Sequence, residues 1–452
     1  MVSSVFTMLS SSFKAEARAN LKLALPLIAA QLAGVGMGTI DTIMAGRLGK
    51  EALAAVAAGA NLNVVFFVFF MGLLMACSPI VAHRVGAGRA DACVGAFTRE
   101  ALLLSVGISV IWVAGAHLIS PVLLHIGLAP ETAGVAVDFL CAFSWSAFGF
   151  SAWFVLRSVA EGTGTTQPIL FSGLTGLLGN LLLDWVFMYG KFGVPAMGAV
   201  GAGWATSISA LMMALVLGAQ YRFHAPLRQL QAFKPVWPRI GRDTREILRL
   251  GFPIGLILLA EAGLFVLSAM WMARFGDSIM AAYQIALNFA SVLFMIPLSV
   301  GLATTVRVGH AMGAGDTVAA RYRGIVGMKL GVLNAASNAS IMVLLSSLIA
   351  ALYTDDAEIA AHATSFLWLA AAFQFADGLQ VTSNGALRGI KDTRVPMLIT
   401  VTAYWLVGMP VAHQLAFSTS LGPSGLWWGL TAGLAVAALG LSLRFMNKAA
   451  RL

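Results

Sequence analysis

Apolar runs long enough to cross a bilayer recur along almost the whole chain. A membrane-spanning helix needs about 20 mostly apolar residues. Twelve segments meet this requirement, at approximately 20–46, 53–80, 98–121, 132–158, 165–188, 197–220, 246–273, 280–306, 324–352, 360–386, 396–417 and 422–443. Lipid offers the backbone no hydrogen-bond partners, so membrane chains fold into helices or closed barrels. Runs of this length predict an all-α integral membrane protein with twelve transmembrane helices.

The composition excludes a soluble globular protein. Hydrophobic residues make up 59% of the chain and charged residues 10%, whereas soluble domains carry about 25% charged residues. A soluble chain of 452 residues would have too few polar residues to cover its surface. We therefore expect membrane lipid to surround the protein.

The two halves of the chain are homologous. A shift of 227 residues places Pro26 on Pro253 and His83 on His310 without a gap, and six predicted spans fall in each half. Duplicated membrane proteins of this kind are typical of secondary transporters, in which two lobes move around a central site. The predicted organisation is two pseudo-symmetric six-helix lobes joined by a proline-containing basic linker: an N-terminal lobe over 1–220, a cytoplasmic linker over 221–243 and a C-terminal lobe over 244–452.

Positive charge is concentrated on one side of the predicted membrane. With twelve spans, 24 of the 28 Lys and Arg lie on the side of the two termini, and only four lie on the other: Arg47, Lys50, Lys191 and Arg274. Positively charged connections stay in the cytoplasm, so both termini are predicted to be cytoplasmic. The same asymmetry accounts for the net charge of +9, and we expect no nucleic-acid partner.

Four carboxylates lie inside predicted spans: Asp41, Asp184, Glu261 and Asp377. A charged acid at the centre of a transmembrane helix costs about 2.5 to 3.5 kcal/mol. One such acid can serve as interhelical glue, protonated or bonded to a neighbouring Ser, Thr or Asn. Four acids, with no Lys or Arg in the middle of the spans, favour a mobile cation instead: sodium, a proton or a cationic solute.

The residues around two of these acids refine the prediction. Asn180 and Asp184 are four residues apart and share one helix face, and Thr206 on the next span can add a hydroxyl oxygen to form a sodium site. Asp41 follows Pro26 by fifteen residues, about 22 Å along a helix. Pro26 removes a backbone donor and can bend the first span, either as a static bend or as a conformational element.

Motifs for other chemistries are missing from the sequence. Gly-Lys pairs occur but no Ser or Thr follows them, so no ATP-binding loop is predicted. Cysteine and histidine are dispersed, so the sequence suggests no CxxC-type metal centre. We expect no enzyme activity and no cofactor apart from a transported Na⁺ or H⁺.

Several motifs together resemble the multidrug and toxic compound extrusion (MATE) transporters. They are the run Ile40-Asp41-Thr42-Ile43-Met44-Ala45-Gly46-Arg47, the stretch Gln284-Ile285-Ala286-Leu287-Asn288, and Ala386-Leu387-Arg388-Gly389 with Val395-Pro396. Glu261 and Asp377 resemble the acids of the NorM-type branch. The resemblance implies Na⁺- or H⁺-coupled antiport of cationic amphipathic drugs and dyes by alternating access. It also implies a role in antibiotic resistance and a monomer in the bacterial cytoplasmic (inner) membrane.

The resemblance also implies roles for single residues. Asp41 matches an acid that binds cation and substrate, and Glu261 with Asp377 matches a C-terminal Na⁺ site. The other matches are Asn180, Asp184 and Thr206 as an N-terminal sodium constellation, Asp355 or Asp356 as an acid at the outer mouth of the drug cavity, and Phe294 as a substrate contact where we expect some relatives to have Tyr. Because both sets of acids are present, the lobe that binds the coupling ion stays open.

Two other functions are alternatives to efflux. A flippase for polyprenyl-linked sugars, from the same broad superfamily, should need basic residues in its cavity for the pyrophosphate, and the sequence shows none mid-span. A membrane enzyme for lipid substrates should need an acid or histidine cluster in a long loop, and none is present. The sequence therefore predicts cation-coupled drug efflux.

Overall fold

The computed structural model describes residues 2–89, 92–125, 127–234 and 240–451. Within these ranges eleven helices are long and apolar enough to cross a membrane, and two helices joined by a 68° bend count as a twelfth span. We number them α1 to α12 in chain order: Ser12–Leu48, Lys50–Gly86, Cys93–His125, Pro130–Gly162, Gln167–Tyr189, Ala199–Phe223, Arg242–Phe275, Asp277–Gly313, Thr317–Leu344 with Ser346–Tyr353, Ala357–Gly389, Arg394–Phe417 and Pro423–Ala449. The described ranges contain no β-strand, so the predicted all-α fold is confirmed.

Most helices extend beyond the apolar runs that predicted them. The runs near 53–80 and 280–306 continue as helix to Gly86 and Gly313. Hydropathy marks only the part of a helix that is buried in hydrocarbon, whereas the last turns carry polar and basic residues that suit the interface. Both helices end before a glycine in the left-handed region, Gly88 with φ 73° and Gly315 with φ 77°, a common way for helices to terminate.

The described residues form two compact units. The N-terminal unit is Pro26–Gly255, and the C-terminal unit contains the described residues up to Leu25 together with those from Leu256 onward. Both boundaries fall inside helices, in α1 at Pro26 and in α7 two residues after Pro253. Proline removes one helical hydrogen bond, so each boundary lies at or near a point where its helix is weakened.

The N-terminal unit has an aromatic core. Phe67 makes edge-to-face contacts with Phe150 and Phe154, and Phe70 stacks on Trp112 with ring centroids 5.9 Å apart. The indole nitrogen of the fully buried Trp112 donates to Asn63 Oδ1 at 2.8 Å. These contacts pack α2, α3 and α4 together.

The C-terminal unit is packed around close helix crossings. A Cβ added at Gly385 on α10 would lie 2.2 Å from the carbonyl oxygen of Gly301 on α8, and one at Gly331 on α9 would lie 2.6 Å from that of Gly378. Any side chain larger than hydrogen would push these backbones apart. Small residues at such crossings let the helices pack closely. This van der Waals packing holds transmembrane helices together, because lipid supplies no hydrophobic driving force between them.

The segment between α6 and α7 is shorter than the predicted linker, because helix continues to Phe223 and resumes at Arg242. The prolines Pro235 and Pro238 of the predicted linker lie outside the described residues. In the described part, Leu227 is buried.

Side chains of α2 and α3 anchor the ends of this segment. Arg99 donates to the carbonyl of Gln231 at 2.8 Å. Glu100 accepts from the backbone nitrogen of Thr244 at 2.7 Å, and Arg84 pairs with Asp243. The described ends of the linker are therefore held against the N-terminal unit.

Many large apolar side chains point outward. Leu118, Leu406 and Leu443 are each more than half exposed, as are other leucines along the spans. A soluble protein rarely presents so large an apolar surface. In a multi-pass membrane protein these side chains contact lipid tails.

Candidate functional site

In the N-terminal unit, three helices bring polar side chains to Asp41. The side-chain nitrogen of Asn180 on α5 donates to Asp41 Oδ1 at 3.0 Å, and the hydroxyl of Thr206 on α6 donates to Asp41 Oδ2 at 3.1 Å. All three residues are buried. The structure thus brings together three of the residues that the sequence singled out.

Asp184 completes this cluster. It lies one turn after Asn180 on α5 and is fully buried beside the Asp41 carboxyl group. Among the described residues, no permanent donor reaches either carboxylate oxygen of Asp184, which can share a hydrogen bond with Asp41 only when one of the two acids is protonated, and the side-chain oxygen of Asn180 has no partner. Two adjacent buried carboxylates repel each other strongly unless a cation or a proton lies between them. The unpartnered oxygens suit Na⁺, which prefers oxygen ligands, or a shared proton.

The C-terminal unit holds a second pair of acids around a cavity. Glu261 on α7 and Asp377 on α10 line a cavity of about 350 Å³. Asp377 is 4% exposed, and its Oδ1 has no hydrogen-bond partner among the described residues. The other lining residues are aromatic, amide, hydroxyl or aliphatic: Phe265, Gln284, Leu287, Asn288, Ala290, Ser291, Phe294 and Phe373.

This lining suits both an inorganic and an organic cation. Gln284, Asn288 and Ser291 offer neutral oxygens that can complete the coordination of a small cation held by the two carboxylates. Phe294 and two other phenylalanines present rings that attract cations through their π faces. The described part of the chain has no cluster of three or more His, Cys, Asp and Glu suited to a metal ion, so any Na⁺ here needs these neutral oxygens.

The remaining predicted residues lie outside these two clusters. Asp356 caps α10, because its Oδ1 accepts from the backbone nitrogens of Glu358 and Ile359 at 2.9 and 3.2 Å. Asp355 is exposed in the same connection. Tyr353, two residues earlier, donates its hydroxyl to Asn288 Oδ1 at 2.8 Å.

The hydrogen bond between Tyr353 and Asn288 places the connection that carries Asp355 and Asp356 close to the cavity, because Asn288 lines that cavity. Pro26 lies inside α1 at the unit boundary, fifteen residues before Asp41. The roles of Asp355 and Asp356 in substrate binding and of Pro26 in conformational change stay predictions.

Tyr404 is a buried residue that no sequence motif indicates. It lies in a π-helical segment of α11, Ala403–Gly408, and is fully buried. Its hydroxyl has no hydrogen-bond partner among the described residues. Single π-helical turns occur often at functional sites. Nothing in the local sequence distinguishes this turn from ordinary α-helix.

Comparison with known proteins agrees with the internal repeat. The family model named MatE matches the chain twice, over residues 26–186 and 253–413. The starts and the ends of the two matches differ by the same 227 residues that relate the halves of the sequence, and the matches cover more than half of the chain. This chain belongs to the MatE family.

Relatives within the MatE family match over nearly the full length. The probable multidrug resistance protein NorM of Xanthomonas campestris pv. campestris is 40% identical, and the match covers 97% of this chain and 96% of the relative. The multidrug resistance protein PmpM of Pseudomonas aeruginosa is 39% identical, with 97% and 93% covered. The resemblance to the NorM-type branch is confirmed, and MatE proteins are membrane transporters rather than enzymes.

Solved structures show the same fold. A structure described as the outward-facing conformation of a multidrug resistance MATE family transporter of the MOP superfamily has a TM-score of 0.88 at 21% identity, with 96% of both chains covered. The eukaryotic MATE transporter AtDTX14 has a TM-score of 0.83 at 23% identity, with 97% of this chain and 98% of that chain covered. At these identities the likeness establishes the fold of this MatE chain and leaves its substrate open.

Two arginines counted on the side of the termini are buried inside helices of this MatE chain. They are Arg157 in α4 and Arg388 in the last turn of α10. Helix continues past the apolar runs here, to Gly162 and Gly389. Both arginines remain near the helix ends expected at the cytoplasmic side, so the charge asymmetry is unchanged.

Proposed function

We propose that this chain is a cation-coupled multidrug efflux antiporter. The observation that carries the proposal is the cavity of the C-terminal unit, in which Glu261 and Asp377 face three phenylalanine rings. Carboxylates beside aromatic faces suit a flat organic cation, and the same carboxylates suit Na⁺ or H⁺. The relatives are named multidrug resistance proteins, which supports a drug as the exported cargo.

Antiport follows from the cost of leaving the carboxylates unpaired. Buried charges are stable only when paired, so a conformation that exposes an empty acidic site to lipid or protein is disfavoured. An entering Na⁺ or H⁺ can neutralise the site while the drug leaves on the other side. Each ligand shifts the conformational equilibrium only by its difference in affinity for the two states, which links the two movements.

The cavity lining favours this function over a flippase for polyprenyl-linked sugars. A pyrophosphate group needs basic side chains around it. The residues that line the cavity include two carboxylates and no Lys or Arg. An acidic, aromatic cavity matches a cation and repels a pyrophosphate.

Ethidium efflux under separate gradients tests the proposal. We expect a tenfold gradient of Na⁺ or of H⁺, imposed alone on proteoliposomes, to drive ethidium to a concentration ratio of at least about tenfold across the membrane, since tenfold in an ion is worth about 1.4 kcal/mol. Vesicles with the Glu261→Gln variant are the control for leakage. If neither gradient drives efflux through the unmodified protein, cation coupling is excluded.

The membrane potential should also drive transport. Exporting a monovalent cationic drug against an inside-negative potential costs about 2.3 kcal/mol per 100 mV, and one incoming monovalent cation regains the same amount. One-for-one exchange is therefore insensitive to the potential. The carboxylate clusters of the two units can carry two incoming charges, so we expect electrogenic exchange.

To test this, ethidium efflux is measured at a fixed ion gradient with the potential clamped by potassium and valinomycin. Efflux should become faster as the drug-containing side becomes more negative. Efflux that ignores the potential would leave a single coupling site.

The location of the protein follows from the charge asymmetry of the sequence. We propose a monomer in the bacterial cytoplasmic membrane with both termini in the cytoplasm. A green fluorescent protein fused at the C-terminus or inserted after Lys234 should fluoresce, and alkaline phosphatase at the same positions should be inactive. Active phosphatase at either position would show that the helix count or the orientation is wrong.

A further inference from the structure

The cavity of the C-terminal unit has a pair of aromatic rings beside its pair of acids. Phe265 follows Glu261 by one turn on α7, and Phe373 precedes Asp377 by one turn on α10. Residues four apart share a helix face, and all four side chains line the cavity. The rings of Phe265 and Phe373 are in edge-to-face contact, with their centroids 6.2 Å apart.

The acids and the rings lie at different depths in the cavity. On each helix the acid is four residues from the ring, which is about 6 Å along the helix axis. The acid comes before the ring on α7 and after it on α10. Odd- and even-numbered spans of a multi-pass protein run in opposite directions, so this reversed order puts both acids on the same side of the ring pair. The cavity therefore has an acid layer and a ring layer.

The ring layer lies between the acids and the polar end of the cavity. Asn338 of α9 donates to the carbonyl of Leu293 on α8 and to Gln374 Oε1 on α10, at 3.3 and 3.1 Å, so Leu293 and Gln374 are level. Asn288 lies five residues before Leu293, about 7.5 Å toward the start of α8. Phe373 directly precedes Gln374, whereas the acid of α10 follows it. The rings thus separate the acids from Asn288.

Phe373 is held in place from behind. It makes an edge-to-face contact with Trp427, at a centroid distance of 6.2 Å, and is 3% exposed. Trp427 is itself buried against Tyr283 and Phe366, with centroids 5.5 and 6.3 Å away. Phe265 is only partly buried. The ring layer therefore combines a fixed ring with one that can adjust to a ligand.

The helical framework does not require these two layers. The helices α4 and α10 begin and end at positions related by the 227-residue shift of the repeat. In the N-terminal unit the counterparts of the two acids and two rings carry no carboxylate and a single ring: Gly34, Gly38, Ser146 and Phe150 in chain order. The same helices thus form without the layers, which favours a role in binding a ligand.

We propose that the cavity binds its cargo in two layers, with an aromatic ring against Phe265 and Phe373 and a positive charge about 6 Å deeper at Glu261 and Asp377. A cargo ring joins the pair as a third partner, because edge-to-face and offset-stacked contacts form at centroid distances of about 4.5 to 7 Å. The preferred substrate is an aromatic ring with its ammonium group on an arm about one helical turn long. This inference rests on the proposed function and adds a substrate class to it.

Two isomeric cations test the spacing between ring and charge. The ammonium group of 4-phenylbutyltrimethylammonium is on a four-carbon arm, whereas that of benzylbutyldimethylammonium is one carbon from the ring. The isomers have the same formula and the same charge. Calorimetry on the purified full-length protein should show at least about tenfold tighter binding of the phenylbutyl isomer, because one aromatic contact is worth up to about tenfold in affinity. Equal affinities would overturn the proposal.

Leucine variants test the two rings. Phe265→Leu and Phe373→Leu keep an apolar side chain and should each reduce the preference for the phenylbutyl isomer at least about fivefold. The matched control is Phe375→Leu, which changes a 44% exposed ring two residues further along α10 and should keep the preference. A preference that survives both ring variants would exclude the ring layer. If Phe373→Leu does not fold, the partly buried Phe265 and the isomer comparison on the unmodified protein decide the result.

Failure of the proposed function would look different. Glu261→Gln and Asp377→Asn should each weaken the binding of both isomers, whereas the ring variants change the ratio between them. If both acid variants bind the isomers and transport ethidium like the unmodified protein, the acids do not form the transport site. If the acid variants lose efflux but the unmodified protein binds the two isomers equally, only the two-layer binding is excluded.

Discussion

Glu261→Gln and Asp377→Asn should each reduce gradient-driven ethidium efflux at least about 100-fold, to the level of empty vesicles. Both substitutions keep the shape of the side chain and remove the charge that holds a cation in the cavity. Losing one partner of a buried charge pair costs about 3 to 5 kcal/mol, which corresponds to more than a hundredfold in affinity. Efflux is measured in proteoliposomes after the amount of inserted protein has been matched.

Glu358→Gln is a matched control for this pair. Glu358 lies on the same helix as Asp377, in the first turn of α10, and its side chain is exposed. The control should transport at the rate of the unmodified protein. Efflux at that rate from both cavity variants would mean that Glu261 and Asp377 only hold helices together.

Neutralising Asp184 in the N-terminal unit should change activity and stability in opposite directions. Among the described residues, no permanent donor reaches either oxygen of Asp184, which lies beside Asp41. Asp184→Asn should lower ion-driven efflux at least about tenfold and raise the melting temperature in detergent, because it relieves the repulsion between two buried carboxylates. Functional sites often show this opposition between activity and stability.

Asp41→Asn should lower both the ion-driven efflux and the melting temperature. Asp41 accepts hydrogen bonds on both oxygens, and an amide can accept on only one of its two positions. One buried donor then loses its acceptor, at a cost of about 1 to 3 kcal/mol in the free energy of unfolding. We expect efflux to fall to background.

The exposed Asp138 on α4 supplies the control, since Asp138→Asn should change neither efflux nor melting temperature. If Asp184→Asn destabilised the protein and left efflux intact, the N-terminal cluster would be structural.

The duplicated helical framework could be predicted because the bilayer leaves few alternatives. Backbone groups in lipid must be satisfied within a helix or a barrel, so twelve apolar runs were enough to predict the spans, including the one that is bent near Leu345. Local spacing also sufficed for Asn180 and Asp184, because two residues four apart on a helix share a face whatever surrounds them.

The partners of the acids depended on packing between helices. Asp41 meets Asn180 and Thr206 only because α1, α5 and α6 pack together, and no sequence spacing encodes that contact. The alignment of Glu261 with Asp377 around one cavity likewise needed α7 and α10 in place.

The sequence by itself determined the membrane class, the repeat and the identity of the acids, since these follow from hydropathy and local periodicity. Only the tertiary structure decided that Arg388 is buried, because helix continues beyond the apolar run to Gly389. Likewise, only the structure showed that Tyr404 is buried in a π-helical turn. Long-range electrostatics and helix register arise from side chains that are distant in sequence, so they become visible only when the helices are packed.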